Sequence, residues 1–227
     1  MTNKRESKLL AVIMTILTAI ALLAGAIGVP VLCRPFYYAH MTPLQIRLRV
    51  LLTEEQIKET YNEIMDYCLG FTDTFRLTHL PWSAAGADHF ADVQKLFLLD
   101  IKIAAAAILT LAILWAAAHR RQIRPAYIKG HSPGFWAAAG LGAAFATLGI
   151  LAAMDFDRFF TAFHTVFFPG KDNWIFDPQK DPVINMLPQV FFRNCAILVF
   201  GLLITTCILL ILSDRRQRKH KERETIT

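Results

Sequence analysis

A chain of 227 residues that is 55% hydrophobic, only 19% charged and positive in mean hydropathy carries more apolar material than one soluble core of that size uses. Disorder is excluded by the hydrophobicity, and a disulfide scaffold by four cysteines spread over such a length. The 24 Lys+Arg against 18 Asp+Glu would suit nucleic acid only if they formed one surface, and they do not. The expected class is an all-α membrane protein with four transmembrane helices, a small mixed α/β extracytoplasmic subdomain and both termini cytoplasmic.

In chain order, a basic tail (1–8) precedes a first span over 9–33, uncharged between Lys8 and Arg34 and long enough to cross a hydrocarbon core of about 30 Å. It reads as an uncleaved signal-anchor: no small-x-small cleavage site follows it, and Leu32 before Cys33 does not fit a lipoprotein signal. The subdomain occupies 34–95. Leu44 to Val50 alternates strictly between apolar and polar, which predicts a half-buried strand, and Phe75 to Leu80 supplies a second strand able to pair with it. Between them Thr53-Glu54-Glu55-Gln56 resembles a capping box. Ile57, Tyr61, Ile64, Met65, Cys68 and Leu69 then recur at helical spacing, predicting an amphipathic helix over 54–69 that ends at Gly70. Asp88 is placed to cap a helix running into the second span, 96–118, with His89, Asp92, Leu96 and Asp100 on one face. Asp100 and Lys102 fall where charge is costly, which marks a polar cavity there.

A basic loop (119–133) leads to the third span, 134–154, whose Ala138, Gly142 and Ala146 form one small-residue ladder and Gly140 and Ala144 another. In 155–193 six phenylalanines surround His164, and Pro169-Gly170 separates them from Trp174-Ile175-Phe176-Asp177-Pro178. The plain explanation is an aromatic belt at the interface. His164 fits that badly, because an imidazole among phenyl rings needs a polar partner. A fourth span, 194–213, and a basic tail, 214–227, complete the chain. The tails and the 119–133 loop hold 13 Lys/Arg against 4 acids, whereas 34–100 and 155–193 hold 10 against 14. Both termini and the short loop are therefore expected inside. The terminal basic run is a topology and anionic-lipid anchor, so no nucleic-acid partner is expected.

H-E-x-x-H, C-x-x-C, Walker and G-x-S-x-G motifs are all absent, as is the His-x4-Asp pattern of soluble-headed glycerolipid acyltransferases. Of four serines Ser83 alone falls outside, so a serine triad is not expected, and no cofactor is called for. Cys33 and Cys68 could meet outside the membrane, while Cys195 and Cys207 lie in the fourth span. Topology sends His119, His131 and His220 inside and His40, His79, His89 and His164 outside. His89 and His164 stand out, each at the mouth of a span within a turn or two of carboxylates. Neutral imidazole is a usable base near pH 7. A metal held by His89, Asp92, Asp157 and His164 is the competing reading.

His89-Phe90-Ala91-Asp92-Val93 resembles the H-x-x-D-V motif of the lipoprotein intramolecular transacylases (Lit), and the Phe-rich stretch around His164 with Trp174 to Pro178 resembles that family's second signature. The four-span layout is similar as well. The resemblance implies a multi-pass protein of the bacterial cytoplasmic membrane, with its site on the extracytoplasmic side. Its partners would be diacylglyceryl-modified lipoproteins and membrane phospholipids; oligomeric state is not implied. The implied reaction moves the sn-2 acyl chain of the diacylglyceryl-cysteine to the α-amine, with His89 and His164 catalytic. In this reading Asp92 orients His89, and Trp174, Phe160, Phe163 and Phe167 line the acyl groove. The alternatives are a non-enzymatic membrane scaffold or sensor, and a small transporter, for which inverted repeats would be expected and none is visible.

Overall fold

The computed structural model describes residues 5–226, with side chains over 5–219. Residues 1–4 of the N-terminal tail and the side chain of His220 lie outside the described residues. In order, the elements are β1 (Arg5–Ser7), α1 (Lys8–Leu32), α2 (Arg34–Met41), α3 (Ile46–Val50), α4 (Glu54–Cys68), α5 (Ala84–Arg120), β2 (Ile123–Pro125), α6 (Pro133–Met154), α7 (Phe156–Phe167), α8 (Val183–Met186) and α9 (Gln189–Ile226). Helices α1, α5, α6 and α9 are long and apolar enough to cross a membrane. Only 6–17% of their most apolar windows is buried within the protein, so the remaining Leu and Ile side chains need lipid around them. The chain divides into two compact units, to both of which these long helices contribute.

One unit comprises 1–26, 101–149 and 200–227. In it β1 and β2 pair in parallel, Arg5 opposite Ile123 and Ser7 opposite Pro125. Helix α6 starts with proline at its first position behind Ser132, whose hydroxyl accepts from Phe135 N at 3.3 Å. The buried Asp214 carboxylate accepts from Ser132 N and His131 Nδ1, both at 2.8 Å. Desolvation works against its charge, but these bonds hold Asp214 below the usual carboxylate range. Of the first expected ladder Ala138 is buried and Gly142 lies against Cys207, but Ala146 is exposed; of the second, a Cβ on Gly140 would meet nothing within 4 Å.

The other unit comprises 27–100 and 150–199 and holds the main core. Helix α4 forms as its sequence dictates. Thr53 Oγ1 accepts from Gln56 N at 3.2 Å and Gln56 Oε1 accepts from Thr53 N at 2.9 Å, a complete capping box. Its apolar face buries Ile57, Tyr61, Ile64, Met65 and Cys68. Tyr61 stacks on Tyr37 with ring centroids 3.8 Å apart, and Tyr37 Oη donates to Met186 O at 2.9 Å. Gly70, at φ +74°, closes the helix.

The two expected strands are not formed. Residues 46–50 make the one-turn helix α3 between Gln45 at φ +53° and Leu51 at φ +56°. Ile46 enters the core against α8, while Leu48 remains 71% exposed. Alternation alone gives no strand without an edge to pair with, and residues 75–80 offer none. That stretch is held by the Glu63 carboxylate, which accepts from Thr78 N and Oγ1, with Phe75, Leu77 and Leu80 buried beneath it. The sheet lies at β1 and β2, not in the 34–95 segment. Cys33 is exposed, Cys68 is buried with its thiol pushed up to about 12, and both are free thiols.

Candidate active site

Helix α5 begins one turn earlier than Asp88 suggested. Ser83 is its cap: the hydroxyl accepts from Gly86 N at 3.0 Å. The buried Asp181 carboxylate in turn accepts from Ser83 N and Ser83 Oγ, both at 2.7 Å. Gly86 permits this approach, because a Cβ there would lie 2.5 Å from Asp181 Oδ1. Asp88 therefore stands inside the helix, and His89 follows in its second turn, ahead of the apolar run that starts near residue 96. Deeper along the helix, Gly28 of α1 leaves room for the Asp100 carboxylate.

Helix α7 carries the second histidine. Asp155 caps it by accepting from Arg158 N at 3.0 Å. Two turns on, His164 is buried, and its Nδ1 stands 2.7 Å from Phe160 O. A carbonyl can only accept, so Nδ1 carries the proton and Nε2 keeps its lone pair. The chain then turns at Pro169-Gly170, with Gly170 at φ +73°, and residues 168–177 come back across both histidines.

The rings of His89 and His164 lie 6.0 Å apart, inclined by 30°. Phe168 touches both, at 5.0 Å from His89 and 5.7 Å from His164. Phe176 meets His89 edge-on at 5.4 Å, while Trp174 stacks on His164 at 4.6 Å. Phe160 and Phe163 pack on His164 at 4.2 and 5.4 Å. Phe167 contacts Phe163 rather than either imidazole, and half of it is exposed. Such surroundings disfavour charge. Burial, then the neighbouring His164, lower His89 to about 4, with Asp92 pulling the other way. Burial lowers His164 as well, against the opposite pull of its bond to Phe160 O. Both imidazoles are neutral at pH 7.

Asp92 does not hydrogen-bond His89. Its carboxylate accepts from Lys95 Nζ at 3.2 Å, from Lys171 Nζ, and from Asn173 Nδ2 at 3.4 Å. Charge-assisted bonds to lysine outcompete one to a neutral imidazole, so Asp92 acts on His89 through its field. Those bonds also hold Asp92 below its ordinary range against its desolvation. Asp157, the remaining candidate metal ligand, accepts from Gln189 Nε2 at 2.9 Å, away from the histidines. Among the described residues no three His, Cys, Asp or Glu side chains converge as a metal site. Of the other candidate histidines, His40 is bonded to Phe36 O and His79 to Glu59.

Sequence reasoning assigns no individual place in the site to Phe168, Phe176, Lys171, Asn173 or Asp181, and it marks Ser83 only as the one serine outside. Only the Pro169-Gly170 turn could have found the first four, by showing that the segment doubles back. Ser83 is committed to the helix cap and to Asp181. The arrangement offers two neutral bases in an aromatic box, suited to moving protons between groups of a bound molecule.

The sequence model for the lipoprotein intramolecular transacylase Lit matches residues 12–192. Among solved structures, the membrane integral lipoprotein intramolecular transacylase Lit from Bacillus cereus is similar with a TM-score of 0.82 and 26% identity, covering 95% of this chain and 97% of that one. A form of the same protein with one histidine replaced by arginine gives 0.76 and 25% over 96% and 93%. No curated protein matches the chain. With four apolar helices, two facing histidines and a family match over most of its length, the chain belongs to the lipoprotein intramolecular transacylase family Lit.

Proposed function

We propose that this protein moves the sn-2 acyl chain of a diacylglyceryl-modified lipoprotein to the α-amine of the same cysteine, at the extracytoplasmic face of the bacterial cytoplasmic membrane. His89 and His164 share the base and acid roles. The observation that carries this reading is the pair of buried, neutral imidazoles with ring centroids 6.0 Å apart.

Proton accounting suits two histidines. The amine arrives as ammonium, its ordinary pKa being about 7.7–8.0. On the way to the amide its nitrogen loses two protons, one before attack and one from the tetrahedral intermediate. The carbon–oxygen bond to the glyceryl group breaks, and that oxygen takes one proton; the other reaches solvent. His164 has its Nε2 lone pair free because Nδ1 is tied to Phe160 O, so it takes the first proton and returns it to the glyceryl oxygen. His89 takes the second. No acyl-enzyme is needed, since donor and acceptor belong to one molecule and orientation lowers the barrier. Phe160, Phe163 and Trp174, which pack on His164, and Phe167 beside them would receive the migrating chain.

The test expresses the wild type, His89→Ala and His164→Ala in a host whose lipoproteins keep a free α-amine, and fragments an N-terminal lipopeptide by mass spectrometry. Transfer appears as one acyl on nitrogen and one on glycerol at unchanged total mass. Wild-type transfer lost in both variants is the expected result. An unchanged lipopeptide with inserted, folded wild type would overturn the reading in favour of a membrane scaffold or sensor.

A further inference from the structure

Asn173 is the one residue of the 168–177 segment whose polar side chain is left half-used. Its Nδ2 donates to Asp92 Oδ2 at 3.4 Å, which fixes the amide's orientation, because the reverse would set a carbonyl oxygen against a carboxylate. The Oδ1 atom is thereby turned away from Asp92, and it is buried without a hydrogen-bond donor. Buried amide oxygens in folded proteins are nearly always paired. Around it, Lys171 is spent on Asp92, Trp174 Nε1 on Lys171 O, and His164 Nδ1 on Phe160 O; the other buried side-chain polar atom without a partner among the described residues is His89 Nδ1, one turn before Asp92 on the same helix. Asn173 is tied to α5 through Asp92, three residues past His89. It is tied to α7 through its neighbour Trp174, which stacks on His164. Asn173 is thus an acceptor tied to both histidine-bearing helices.

We propose that Asn173 is a substrate-binding residue whose side-chain oxygen accepts an N–H from the α-amine of the diacylglyceryl-cysteine, aiming the nitrogen lone pair at the ester carbonyl. The proposal rests on the acyl-transfer reading above. A neutral primary amine has two N–H groups, one for Asn173 and one for a histidine, while its lone pair attacks. A secondary N-methyl amine has one, and cannot satisfy both.

The experiment uses the full-length protein in micelles with two synthetic lipopeptides, one with a primary α-amine and one N-methylated, and measures kcat/KM for wild type, Asn173→Leu and Asn173→Ala. Wild type should prefer the primary amine. Asn173→Leu should lose about 10- to 100-fold on it, the range for a hydrogen bond to a group that carries charge during reaction, with far less loss on the N-methyl substrate, so that the preference collapses. Asn173→Ala should show the same collapse and serves if the leucine variant does not fold. Equal losses on both substrates would mark Asn173 as merely structural and overturn the proposal, as would no loss. Absence of transfer by wild type on either substrate would instead sink the acyl-transfer reading itself.

Discussion

Gly86→Ala tests whether the start of α5 sets the site. A methyl at this position would lie 2.5 Å from Asp181 Oδ1, 3.1 Å from Asp181 Cγ and 3.3 Å from Phe176 Cε1. Asp181 must retreat by about 1 Å to reach ordinary contact, and it cannot do so without loosening its two 2.7 Å bonds to Ser83. One such bond to a charged group is worth about 1.5–3 kcal/mol. Alanine returns about 1 kcal/mol in helix propensity. The net expected loss is therefore about 0.5–2 kcal/mol, seen as a lower thermal midpoint in micelles. Phe176 lies on His89, so the same shift disturbs the imidazole pair, and acyl transfer should fall by about tenfold or more. Gly25→Ala is the control, since a Cβ there meets nothing within 4 Å. Gly86→Ala as stable and as active as Gly25→Ala would refute the assignment of Ser83, Asp181 and Gly86 as the mounting of His89.

Other consequences concern charge and burial. Histidine-labelled protein titrated by NMR should keep His89 neutral to well below pH 6, with a midpoint near 4, and His164 below 6.5. A midpoint near 6.5 for His89 would contradict its burial. Because the unfolded chain takes up these protons from about pH 6.5 downward, stability from the buried pair is present above that pH and is lost as pH falls toward 4. Lys171→Met removes a cation that lowers His89 and leaves the Asp92 carboxylate less neutralised, so the His89 midpoint should rise; an unchanged midpoint would exclude that coupling. Tyr37→Phe leaves Met186 O without its buried donor and should cost about 1–2 kcal/mol in a melt. Asp214→Asn should also lower stability, by about 1–3 kcal/mol; a variant as stable as wild type would show that the His131 and Ser132 bonds do not need the charge.

Hydropathy made the four long helices legible, since an apolar run of this length has no other solution in lipid. The Thr53–Gln56 box was equally readable, because cap and helix are local. Leu44 to Val50 misled for the opposite reason: its alternation is real, but Gln45 and Leu51 both adopt positive φ and wind the stretch into one turn, which no periodicity reports. His164 stood out because imidazole is costly among phenyl rings, and His89 because it falls at the mouth of a span within a turn or two of carboxylates. The contact of Phe168 and Phe176 with His89 was not legible, because it depends on a chain reversal at Gly170 that brings residues eight apart onto one ring. Asp92 shows the limit of a shared helix face: the spacing put it beside His89, but Lys171, from another segment, took the carboxylate.

Helix α5 runs 37 residues without a break, from the Ser83 cap through the apolar run. A rod of this kind is a depth gauge. His89 stands seven residues before residue 96, and at 1.5 Å per residue that sets it about 10 Å beyond the start of the apolar run. Lipid ester carbonyls also keep a nearly constant depth, just outside the hydrocarbon. The rod and the bilayer thus each carry their own ruler, and the proposed transfer requires the two readings to coincide. Thickening or thinning the bilayer should slide the substrate's esters past an imidazole that cannot follow, so turnover should peak at one acyl-chain length of the host lipid.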